Sequence, residues 1–303
     1  MPKGLLEFRN APRNKIPTGL KTSKRGGNSA PDDDLTSELR SLLMSGLALS
    51  AAGANVIMQL SRLPVGRGVV ESVVDSGSLY RHPIKRTRTT LGYLMIAMLG
   101  TQRERDVIRL EVNRQHQRVV SRPDSAVAYN AFDPELQLWV AACMYHGLED
   151  VLRTFYAPVA SETLDVLYQR SARLATTLQV PASLWPVDRD AFDIYWRASL
   201  ELVEIDDATR DYLLGIASLT FLPKPLRVVF GPFHRFVTVG FLPERLRSEL
   251  ALPWGALRQA LFKVVVKAMA VVHRLLPRAL REFPFNVSLH DARRRIRSGR
   301  PFV

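Results

Sequence analysis

From Ser41 to Ser61 the chain runs for 21 residues without a charged side chain, between Arg40 and Arg62. That length satisfies the requirement for a membrane-spanning helix, so the stretch belongs either in lipid or at the centre of a large protein core. Gly46, Gly53, Asn55, Gln59 and several serines lower its apolarity. The expectation is therefore a buried core helix whose small residues let another helix or a flat cofactor approach closely. The chain has the material to surround it: 47% of its 303 residues are hydrophobic, enough for one or two domains.

Helix signals fill most of the remainder. Pro83 suits a first turn, and the segment it opens closes at Gly100. Thr101 and Glu104 form a capping box for a helix to about Val120, and Asp133-Pro134 opens another to about Leu152. Further helices are expected at about 161–178, 188–204, 207–219 and 254–276, with a short one near 243–250. Strand signals are confined to Arg227–Phe230 and Phe236–Val239. The pattern predicts an all-α fold, a single compact multi-helix domain over 32–285. A disordered basic arm precedes it at 1–31, an acidic run at Asp32–Asp34 marks the first helix start, and a basic tail follows at 286–303.

The net charge of +13 raises the question of nucleic acid. Residues 1–25 hold seven Lys/Arg against Glu7, and 274–303 hold eight Arg against Glu282 and Asp291. Each end carries +6, leaving about +1 for the body. Charge confined to the ends argues against a nucleic-acid function; peripheral contact with anionic membrane is the expectation it leaves open. Residues 1–30 lack the apolar core of a secretory signal, and the single cysteine, Cys143, excludes an intramolecular disulfide and fits a reducing, cytoplasmic setting.

Common chemistry-bearing motifs are missing. Gly66-Arg67-Gly68 lacks the third glycine and preceding strand of a dinucleotide fingerprint, and no phosphate loop, H-E-x-x-H or nucleophile elbow occurs. Cys143, three residues before His146 in an apolar helix, reads as a small buried hydrophobe. On the helix after Thr101, Ile108, Val112, His116 and Val119 trace one face, so His116 points inward. An inward histidine is a hydrogen-bonded core residue or a metal ligand; haem iron needs only one. On the preceding helix Arg86 and Thr90 stand four residues apart on one face, either as a solvated basic turn with Lys85 and Arg88 or as a guanidinium and hydroxyl serving a site.

Several runs share one order and spacing: Met58 to Gly66, His82-Pro83-Ile84-Lys85-Arg86 through Thr90, Asn113 to Val119, and Tyr129-Asn130-Ala131-Phe132-Asp133-Pro134-Glu135-Leu136 with Trp139-Val140. With Leu178 to Trp196 and Phe241-Leu242-Pro243 to Arg247, they resemble the MpaB/latex-clearing-protein (rubber oxygenase) family over roughly residues 35–285. The resemblance implies an all-helical fold with an internal haem pocket, compatible with a globin-like core. It implies haem b held by His116 and O2-dependent cleavage of carbon–carbon double bonds in isoprenoid or other lipophilic molecules. The arginine and threonine of the family's R-x-x-K-T element fall on Arg86 and Thr90, and Glu71 is the distal carboxylate that would act as base. Thr89 stands where rubber oxygenases have lysine, and Leu63 replaces the histidine of an H-P pair.

Three functions follow: a haem-dependent oxygenase, a haem-binding or sensing protein without turnover, and a basic peripheral membrane protein whose 254–276 helix carries Lys263, Lys267 and Arg274 on one face.

Overall fold

The uncharged stretch folds as the hub of an all-α structure. The computed structural model describes residues 36–156 and 158–302; the 1–31 arm and the Asp32–Asp34 run lie outside the described residues. The helices are α1 (Ser37–Leu43), α2 (Ala52–Leu60), α3 (Leu63–Val70), α4 (Pro83–Leu99), α5 (Gln102–His116), α6 (Pro134–Phe155), α7 (Ser161–Ser171), α8 (Arg173–Thr176), α9 (Arg189–Leu200), α10 (Asp207–Ala217), α11 (Lys224–Phe241), α12 (Glu244–Glu249), α13 (Ala256–Leu275), α14 (Arg278–Arg281) and α15 (Phe285–Ser298). A 3-10 segment, Gly46–Ala51, links α1 to α2. No strand forms among the described residues.

Polar side chains inside the uncharged stretch are consumed in helix–helix packing. Ala54, Ile57 and Met58 are buried where α2 meets α6. Asn55 donates from Nδ2 to the Cys143 carbonyl at 2.6 Å, and Gln59 donates to Asn55 Oδ1 at 2.6 Å. Gly147 makes this possible: a Cβ there would sit 2.2 Å from Asn55 Nδ2. A buried amide needs partners, and these contacts supply them inside protein. Ser37–Leu60 is long and apolar enough to cross a membrane, yet half of its most apolar window is buried within the fold. The small residues admit a helix: a Cβ on Gly53 would lie 2.6 Å from Thr238 Oγ1 of α11.

The expected caps form. Thr101 Oγ1 accepts from Glu104 N while Glu104 Oε2 accepts from Thr101 N, and Asp133 accepts from the amides of Glu135 and Leu136. The helix expected to reach Val120 ends at His116, and the one expected over 161–178 breaks at Ala172 into α7 and α8.

Two expectations fail. Both strand candidates lie within α11, whose C-terminal half packs Val237, Val239 and Phe241 into the core. Val228 and Val229 favour strands locally and Pro232 removes an amide donor mid-helix, but tertiary packing overrides both. Segment 286–303, expected as a tail, contributes most of α15, which packs on α4 through Phe285, Leu289 and Ala292. Arg293 reaches the Leu99 carbonyl at 3.0 Å and Glu104 at 3.1 Å, and Phe302 is buried against Gly92.

Candidate functional site

The tight Gly100–Thr101 turn folds α4 and α5 back on each other. Arg86 lies 14 residues before that turn and His116 lies 15 after it, each roughly 20 Å along its helix at 1.5 Å per residue. Both reach the open end of the hairpin, and their charges interact there.

His116 is half-buried and makes no side-chain hydrogen bond. Its Nδ1 is sealed from solvent without a hydrogen-bond partner among the described residues. Burial, and then the neighbouring Arg86 guanidinium, push its pKa down to about 4, so the imidazole is neutral at pH 7 with a lone pair free to bind. Phe132 stands edge-on to the ring at 6.2 Å between centroids.

Arg86 combines surrounding protein with accessible side-chain surface. Burial lowers its pKa, and Tyr212 of α10 is the neighbour that opposes the shift. Among the described residues it has no carboxylate partner. A guanidinium in that position favours an anionic or oxygen-rich group. Thr90, also singled out from the sequence, spends its hydroxyl proton on the Arg86 carbonyl at 2.9 Å, as Thr89 does on Lys85 and Arg86.

Glu71 caps α3 and has other partners. Its carboxylate accepts from Ser125 Oγ at 2.6 Å and Tyr129 Oη at 3.1 Å and pairs with Arg67 at 3.2 Å; Arg67 also binds Asp206. These donors, led by Ser125, hold its pKa below the usual carboxylate range. Neither Arg86 nor His116 is among them. The arrangement anchors the loop that follows His116, where Val120 bridges to Asn130.

That loop explains the Tyr129 to Pro134 run. Tyr129 reaches Glu71, Asn130 Oδ1 accepts from Phe132 N, Phe132 meets His116, and Asp133-Pro134 starts α6. Gln137 and Gln179 link α6 back to Asn113 on α5. Sequence reading identified Phe132 only as part of a motif, and Tyr212 not at all; nothing near Tyr212 signals its approach to Arg86.

The sign of the His116 shift gives a prediction. Above pH about 6.5 the imidazole is neutral in folded and unfolded chains alike. Between 6.5 and about 4 the unfolded chain binds a proton that the folded one refuses, so stability falls as pH falls. In the protein without added cofactor, His116→Gln should flatten that part of the stability–pH curve relative to wild type in urea titrations. Parallel curves would contradict the burial of this imidazole.

A protein of Mycobacterium bovis and one of Mycobacterium tuberculosis, each named as uncharacterized, are 48% identical over 250 residues, covering 82% of this chain and 98% of theirs. No solved structure matches the chain. The family described as "ER-bound oxygenase mpaB/B'/Rubber oxygenase, catalytic domain" matches residues 39–274, from the first buried residue of α1 to the last turn of α13. The chain belongs to the mpaB/rubber oxygenase family and carries its catalytic domain.

Proposed function

We propose that the protein is a haem b-dependent oxygenase that uses O2 on a lipophilic, isoprenoid or lipid-like substrate, with Nε2 of His116 as the proximal iron ligand. One observation carries the reading: a neutral imidazole whose Nδ1 is buried without a hydrogen-bond partner stands beside a guanidinium that has no carboxylate partner among the described residues. Haem b fits both, because its iron takes a single imidazole and its propionates take a cation. No group of three or more His, Cys, Asp or Glu converges among the described residues. A metal carried by a macrocycle needs no such cluster.

When bound, haem supplies the oxygen chemistry, and the protein supplies position and electrostatics. His116 would hold the metal from the end of α5, with Phe132 edge-on to its ring. Arg86 would hold an anionic group of the cofactor, such as a propionate, through its guanidinium. Glu71 acts as a positioning residue through Ser125 and Tyr129, keeping the loop in place beside His116.

The test is oxygen uptake by the full-length, haem-loaded protein with squalene as substrate. Uptake dependent on squalene, with aldehyde or ketone products by mass spectrometry, is expected, falling about tenfold or more in Arg86→Leu. The second reading, haem binding without turnover, draws on the engaged state of Glu71 and Thr90. Stable haem binding with no uptake on any alkene would favour it and refute the oxygenase.

A further inference from the structure

Helix α13 has two apolar faces. Phe262 and Val266 are buried in the core. On the opposite side Leu257, Leu261, Val264, Ala268, Val271, Val272 and Leu275 are exposed, the large ones by between 52% and 84%. At 3.6 residues per turn these seven fall within an arc of roughly 100° and extend about 27 Å along the helix. Scattered exposed leucines are ordinary; a full-length stripe is not.

Charge accompanies the stripe. Lys263, Lys267 and Arg274 form a single row about a quarter turn to one side of it, all exposed. Neither α13 nor α11, which packs against it, contains an aspartate or glutamate. The first half of α11 adds exposed Val228, Val229, Phe230 and Phe233 beside Lys224 and Arg227.

We infer that α13 is a docking face for an anionic lipid bilayer, lying in the plane of the interface with its outer stripe among the acyl chains and its cationic row at the headgroups. Lysine and arginine stems extend from a shallow apolar helix to headgroup level, which is the geometry that a flanking row permits. The charge selects this occupant over a second copy of the chain: two such helices in contact would oppose like-charged rows without an acidic residue on either α11 or α13 to offset them. An anionic surface satisfies the same row. The inference does not depend on the proposed haem chemistry.

Flotation of the full-length protein with phosphatidylcholine vesicles, with and without phosphatidylglycerol, tests it. Wild type should float with the anionic vesicles. Leu261→Ser/Val264→Ser, which keeps every charge, should reduce binding about tenfold or more. Lys263→Glu/Lys267→Glu should reduce it to the level seen with neutral vesicles. Because these side chains are exposed, the unfolding midpoints should match wild type. Should either variant prove unstable, Val271→Trp replaces it: brominated lipid should quench its fluorescence more than it quenches that of wild type. Unchanged binding by the serine variant, or quenching of Val271→Trp no greater than that of wild type, would overturn the inference and leave attraction to the basic ends alone. A wild-type dimer in solution that the serine variant dissociates would overturn it in favour of a second copy.

Discussion

Trp139→Ala should lower the free energy of unfolding by about 3–5 kcal/mol in urea titration, the largest single-residue stability loss expected in this chain. Trp139 is completely buried and stacks on Trp196 at 5.3 Å, which stacks in turn on His146 at 4.1 Å. The Arg62 guanidinium lies 4.9 Å from the Trp139 ring, and the indole Nε1 donates to the Gln59 carbonyl at 3.1 Å. Truncation leaves a cavity where α2, α6 and α9 converge and removes the partner of a carbonyl on α2. Trp139→Phe keeps most of the volume and should cost about 1–2 kcal/mol, chiefly the lost hydrogen bond. An alanine variant within about 1 kcal/mol of wild type, on the scale of ordinary surface changes, would show that this stack does not organise the core.

The second large effect concerns cofactor affinity. His116→Ala should weaken ferric haem b binding by about a hundredfold or more in absorption titrations, since it removes the imidazole proposed to hold the iron. His82→Ala is the comparison, because that ring is exposed and its Nε2 is already paired with Asp75 at 2.8 Å. Equal haem affinity in the two variants would move the iron ligand away from position 116.

Much of the architecture was legible because helix boundaries are written in local chemistry. Thr101, Glu104, Asp133 and Pro134 announce their helices through caps that need no tertiary partner. Helix α11 was hidden for the opposite reason. Its first half is β-branched and interrupted by Pro232, and only its packing on α2 and α13 makes a helix of it. Helix α15 carried a readable signal that its arginines masked: Phe285, Leu289, Ala292 and Ile296 recur at helical spacing, and the first three are the buried face against α4.

The site was legible in part. An inward His116 follows from its apolar stripe, and its proximity to Arg86 follows from their nearly equal distances from the Gly100–Thr101 turn. The arrangement of Glu71 does not follow. Its carboxylate is committed by Ser125 and Tyr129, residues more than fifty positions away, whose approach depends on the loop after α5. Tyr212 likewise reaches Arg86 only through the packing of α10.

In the proposed site, Nε2 of His116 binds the iron of a haem seated beside Arg86. The most direct test of this ligation is the absorption spectrum of full-length His116→Gly protein mixed with ferric haem b, with and without free imidazole. The Soret band of wild type should be lost or shifted in this variant and restored when imidazole fills the space left by the side chain. A His116→Gly spectrum identical to wild type without imidazole would contradict it.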